Sequence, residues 1–140
     1  MASNPTIAAN PPQPEPSLDS LPWWNSLKYG TFAAQRCTQC SKWQFPNLAS
    51  CRHCGGELAL EAVSGRGTIY SYILNNRPAA PGLDPDPYPI ALVELEESPD
   101  LHLPGRIVGA STVVIGQPVQ AEIVDLPGGE WKVPVFRVAE

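Results

Sequence analysis

In the C-terminal part of the chain, apolar and polar side chains change places in short runs. GTIYSYILN (67–75), PIALVEL (89–95), GRIVGA (105–110), PVQAEIVDL (118–126) and VPVFRV (133–138) are β-branched or alternating, and Gly, Pro, Asn and Asp separate them. The pattern predicts a mainly β chain whose five strands close into a small barrel. Pro81, Pro85, Pro87 and Pro89 mark a long loop between the first two of these strands. A further strand is expected over 31–37, running into a group of cysteines. Upstream the period lengthens: Ser20 suits a helix cap, Pro22 its first turn, and Gly30 its end. Trp23 and Leu27 lie four apart on one face of that short helix. Residues 1–18 hold five prolines and little apolar content, so they are expected to be a disordered lead or linker. Three units follow: the lead 1–18, a helix with a cysteine-rich ribbon over 19–63, and the barrel over 64–140.

Composition sharpens this picture. Apolar residues make up 43% and charged residues 16%, enough for a buried core, while 17 Pro and 11 Gly fit many short elements joined by turns. The net charge of −5 is uneven, with +1 over residues 1–70 and −6 over 71–140. An acidic barrel repels phosphate backbones, which disfavours nucleic acid. No apolar run has the length of a membrane span and MASNPTIAAN is not a signal pattern. A soluble, cytoplasmic chain without a membrane partner is expected.

All four cysteines fall within one short segment. Cys37-x2-Cys40 and Cys51-x2-Cys54 each place two thiolates on one turn, and two such turns complete a tetrahedral S4 site for one zinc ion. Gly55-Gly56 follows the second pair, where a tight knuckle needs positive φ. Disulfides would need an oxidising compartment, and a redox pair would need a βαβ setting; the sequence indicates neither. Four thiolates leave no position for water, so the zinc is structural. His53 then reads as a spacer between ligands, and His102 as a loop residue before Pro104.

The order of these features, including CTQCSKWQFPNLASCRHC, VSGRGTIYSY and PYPIALVELEE, resembles the DUF35 family of rubredoxin-like zinc-ribbon plus OB-fold proteins. The Phe45-Pro46 step, the Ser64-Gly65-Arg66-Gly67 junction and the Ile115-Gly116-x-Pro118-Val119 turn carry it most specifically, and the resemblance runs from Trp23 to Phe136. It implies a noncatalytic accessory subunit of an acyl-CoA-processing complex. Partners of such proteins are thiolase-superfamily or lipid-transfer-protein-like subunits, including steroid side-chain aldolases and an archaeal thiolase assembly. The partner carries the chemistry, and the ribbon–OB protein stabilises it and helps hold the CoA moiety. The family also occurs fused to hydratase domains, whose interdomain linker the Pro-rich start resembles. Ser41 stands after Cys40, where the family frequently has Gly.

The residues themselves add candidates. Lys42, Arg52 and Arg66 are expected anion or CoA contacts, because segment 28–66 carries +3 before metal. Tyr70 and Tyr72 alternate, which puts both rings on one face of the first barrel strand, where OB folds stack bases. Trp23, Trp24, Leu27, Tyr29 and Phe32 are more large apolar residues than a short helix needs, so they form the expected partner interface, with core packing as the alternative. No Gly-x-Ser-x-Gly elbow, no cysteine outside the cluster and no paired His is present, so no catalytic residue is assigned and the chain alone is not expected to be an enzyme. The rival reading is a nucleic-acid-binding zinc-ribbon/OB module, opposed by the acidic barrel half.

Overall fold

The computed structural model describes residues 13–76 and 87–139. Helix α1 (Leu21–Lys28) is followed by strands β1 (Ala33–Cys37), β2 (Trp43–Gln44) and β3 (Leu58–Ala62), which form an antiparallel sheet in the order β2-β1-β3. Strands β4 (Arg66–Asn75), β5 (Tyr88–Leu95), β6 (His102–Val108), β7 (Pro118–Asp125) and β8 (Lys132–Val138) close into a barrel in the order β4-β5-β6-β8-β7. All barrel neighbours are antiparallel except β6 and β8, which meet in parallel at Ile107 and Val108. A five-stranded closed barrel in this order is an OB fold. The chain is mainly β, as its alternating runs predict. The expected lead lies mostly outside the described residues, as do Pro81 and Pro85.

β6 begins three residues earlier than the pattern predicts, at His102, and contains Pro104. Proline is tolerated because this part of β6 pairs only with β5; β8 joins it no earlier than Ile107. The missing N–H falls on an open edge, where no ladder bond is lost.

Helix and barrel share one core. Trp23, Leu27, Phe32 and Trp43 belong to the same buried cluster as Ile69, Val93, Leu103, Ile107, Val119 and Phe136. Phe32 meets Phe136 edge-on with ring centres 6.3 Å apart, and Trp23 donates its indole N–H to the Ala33 carbonyl at 2.9 Å. Outside this cluster Trp24 packs edge-on against Trp131 of the β7–β8 turn at 6.2 Å, and Lys28 pairs with Glu130 at 2.7 Å. This corrects the expected partner interface. Trp23, Leu27 and Phe32 are fully committed inside the chain, Trp24 is half-buried, and Tyr29 alone of the five stands open. The physical reason is that a helix with one apolar face lies directly over the barrel wall between ribbon and β8.

The junction between ribbon and barrel is tight. Ala121 donates its N–H to the Gly65 carbonyl at 2.9 Å, Gln120 reaches the Ser64 carbonyl at 3.0 Å, and the Ser64 N–H bonds Glu97 at 2.8 Å. Gly65 has φ +80°, and a side chain on Gly67 would collide with the Glu94 carbonyl of β5. These glycines serve the junction, as their sequence position suggests.

β4 contains a bulge. Ile69 lies opposite Val93, but Ser71 lies opposite Leu92, so Tyr70 is an extra residue in the ladder. The consequence corrects the expected tyrosine pair. Tyr72 sits opposite Ala91 on the phase of β5 that faces the core, whereas Tyr70 stacks on His102 at 4.3 Å, on the opposite face. The extra residue breaks the period of two on which a shared face depends.

Candidate functional site: a four-cysteine metal centre

The ribbon brings four sulfurs together from two turns. The first follows β1, which ends at Cys37; the second lies between β2 and β3. The sulfurs of Cys37, Cys40, Cys51 and Cys54 all lie within 4.8 Å of one another. Cys37 and Cys54 are 3.5 Å apart, and Cys40 and Cys51 3.7 Å. A tetrahedron with metal–sulfur bonds of ~2.3 Å has edges of ~3.8 Å, so this spacing fits a single zinc ion. His53 is exposed between two ligands and is not part of the cluster.

Backbone N–H groups surround the sulfurs. Gln39 and Cys40 both donate to Cys37 Sγ at 3.4 Å, and His53 donates to Cys51 Sγ at 3.3 Å. The Cys40 N–H, ahead of the others, brings the Cys37 thiol down to about 6. Burial pushes the Cys51 thiol up, but the N–H groups of Cys54 and His53 bring it below its ordinary value. Cys54 accepts an N–H bond from Gly56 that favours its thiolate, yet crowding by Cys37, Cys40 and Cys51 drives it up to about 12. Four thiolates at this distance repel one another, and a divalent cation removes the conflict. The donor set and its packing therefore fit zinc, and all four positions of a tetrahedral ion are taken by protein.

The two knuckles differ in the residue that follows the second cysteine. Gly55, after the second, has φ +77° at no steric cost, whereas Ser41, after the first, is held at φ +65°. The same left-handed turn is required at both places, and a serine bears it at the first.

The other sequence candidates are scattered. Lys42 and Arg52 flank the knuckles, exposed and without an ion-pair partner among the described residues. Arg66 differs: its guanidinium grips Glu96 through two bonds of 3.2 and 2.7 Å, which removes it from the free anion contacts. A cleft of about 340 Å³ opens beside that pair, lined by Thr68, Glu94 and Pro99 as well. Sequence reasoning missed the cysteine N–H cradle, because backbone donors leave no trace in side-chain identity. It also missed the Tyr70–His102 stack, which joins residues 32 apart and depends on a bulge that has no fixed residue signature.

A four-cysteine ribbon joined through one core to an OB barrel defines a zinc-ribbon–OB protein. The sequence matches the family description "ChsH2, rubredoxin-like zinc ribbon domain" over residues 24–61 and "ChsH2, C-terminal OB-fold domain" over 60–124. The chain belongs to this ChsH2-like DUF35 family. It covers 91% of its own length and 100% of a solved chain described as the "Ltp2-ChsH2(DUF35) aldolase", with a TM-score of 0.82 and 32% identity. It is 33% identical over 121 residues to the 3-oxo-4,17-pregnadiene-20-carboxyl-CoA hydratase alpha subunit of Mycobacterium tuberculosis, covering 85% of this chain and 37% of that one. Over 77 residues it is 41% identical to a DUF35 domain-containing scaffold protein of Methanothermobacter thermautotrophicus, covering 54% of this chain and 58% of that one. The chain thus spans less than two thirds of these curated relatives. Among the described residues, no helix is long and apolar enough to cross a membrane.

Proposed function

We propose that this chain is the noncatalytic accessory subunit of an acyl-CoA-processing complex, binding and stabilising a thiolase-like partner of the steroid side-chain aldolase type. One observation carries the reading: the chain matches, over that chain's full length, a component of an Ltp2–ChsH2(DUF35) aldolase. Its chemistry agrees. The four cysteines saturate a tetrahedral ion, so zinc would hold the two knuckles in place and offer no open coordination position to a substrate. Cys37, Cys40, Cys51 and Cys54 would be its ligands. Lys42 and Arg52, free of carboxylates beside the knuckles, are suited to the phosphates of a CoA moiety held between this chain and its partner. The acidic barrel half argues against the nucleic-acid alternative.

The test is reconstitution with the Ltp2-type subunit. The reading expects a stable complex, acyl-CoA cleavage by the complex, and none by this chain alone. Turnover by the isolated chain, or no complex with that subunit, would overturn it. Lys42→Glu with Arg52→Glu should raise KM for the acyl-CoA several-fold and leave assembly intact.

A further inference from the structure

The barrel leaves one strand edge open. On the side away from β5, β4 pairs with β7 only at Arg66, Gly67 and Thr68. Ile69 still exchanges both backbone bonds with the next turn: its N–H reaches the Gln117 carbonyl at 3.0 Å and its carbonyl accepts from Gly116 at 2.7 Å. Beyond Ile69, no other strand joins that edge among the described residues. Leu74 lies opposite Pro89, which has no N–H to give, so this is not a doubly bonded pair. By alternation, Tyr72 and Leu74 turn their N–H and carbonyl groups to the open side.

The side chains there are of an unusual kind for an open edge. Natural edges are guarded by lysine, proline or a short length. Here residues 70–75 read Tyr-Ser-Tyr-Ile-Leu-Asn, with no charge and no proline. Ile73 is 63% exposed on one face of the strand, and Tyr72 and Leu74 are 43% and 49% exposed on the other. The turn that caps Ile69 adds Val114 and Ile115, also exposed, and segment 111–117 is uncharged as well. These five residues together expose roughly 500 Å², against ~800 Å² per partner in a standard protein interface. Uncharged apolar side chains beside backbone groups that no other strand takes among the described residues, the Leu74 carbonyl meeting only the Asn76 side chain at 3.5 Å, suit an extended protein segment and offer nothing to a phosphate backbone or an anionic membrane.

We infer that the partner subunit of the reading above adds an extended, uncharged segment to β4 between Tyr70 and Asn75, with apolar side chains resting on Ile73, Leu74, Val114 and Ile115. The inference rests on that reading for the partner's identity and goes beyond it in locating the contact and its mode. Trp23, Leu27 and Phe32 of the five residues expected from sequence are core, so the docking surface moves to the far end of β4.

The experiment uses full-length zinc-loaded protein and the Ltp2 subunit of the matched aldolase, with Tyr72→Lys, Leu74→Lys and, as a control at the ribbon, Leu48→Lys. Tyr72→Lys and Leu74→Lys should each weaken binding at least tenfold with zinc content and melting temperature unchanged, while Leu48→Lys binds as wild type. The amides of Tyr72 and Leu74 should exchange rapidly in the free chain and slow at least tenfold in the complex. Undiminished binding by both lysine variants overturns the inference and leaves the proposed function standing. Failure of wild type to bind overturns both. Slow exchange in the free chain, from residues 77–86 or from a second copy detected by sedimentation, means that the edge is already covered and overturns the inference alone.

Discussion

The ribbon end and the distal end of β4 each hold a concentration of large apolar side chains, and they use them in opposite ways. Near the ribbon, Trp23, Leu27 and Phe32 are buried against barrel residues such as Phe136. At the end of β4, Tyr72, Ile73 and Leu74 remain open. Composition does not separate the two, since the helix is if anything the more aromatic. Topology does. A helix laid across a barrel wall has a partner ready-made, whereas a strand that outruns β7 has an edge with none among the described residues. Local hydrophobicity marks a surface that must be covered; which chain covers it depends on what lies next to it.

The strongest way to break this comparison is to remove the metal. Because the ribbon shares its core with the barrel, Cys51→Ser should melt the whole chain in one transition, since structural zinc supplies on the order of 10–16 kcal/mol of apparent binding energy. Elemental analysis should find one zinc per wild-type chain, and near-UV circular dichroism should follow the loss. A barrel that keeps its signal after the ribbon unfolds would show two cores.

Next in size is Trp23→Ala, expected to cost about 3–5 kcal/mol of stability by thermal or urea melts, because it empties a buried ring site. Tyr29→Ala, on the same helix but exposed, should change stability by less than about 0.5 kcal/mol. Equal effects would erase the distinction between the two ends. Gly67→Ala should be costly too, about 2 kcal/mol or more, because the atom it meets is the β5 backbone and cannot swing away.

These contrasts also indicate what was legible from the residues. The cysteine spacing gives the four-sulfur cluster directly, because two-residue spacers have few other uses. The five strands are legible because barrel walls alternate. Trp23 was legible only as apolar, since burial by this chain or another leaves the same letters. Tyr70 and Tyr72 misled for a different reason: alternation holds until a bulge, and a bulge has no fixed residue signature. Arg66 read as a free cation because Glu96 lies thirty residues away and reaches it only once β4 and β5 pair.

Two smaller effects remain, one in the ribbon and one in the barrel. Ser41→Gly should stabilise the protein by up to about 1 kcal/mol by removing a left-handed serine at φ +65°. The Arg66–Glu96 pair is exposed, so Arg66→Ala should lower the melting temperature only slightly. Its bond to Arg66 holds the Glu96 carboxyl below the usual range. A depressed folded value means that the contribution is complete above the unfolded carboxylate pKa and fades as pH falls through the folded one. Melts of wild type and Arg66→Ala should therefore converge in acid.

The bulge at Tyr70 acts as a phase shifter in the reading frame of side-chain direction. Upstream of it, Ile69 points into the core; downstream, even-numbered residues take over the inward phase, with Tyr72 and Leu74 in line with Ala91 and Pro89. The face that each later side chain shows is set by whether Tyr70 stands outside the ladder or takes a place in it. Deleting Tyr70 would change no face, since Ile69 and Ser71 already oppose Val93 and Leu92; drawing Tyr70 into the ladder as a regular residue would keep every later letter and reverse its meaning. Tyr72 and Leu74 would turn outward, Ile73 inward, and the same short stretch would present a different surface without a single substitution in it.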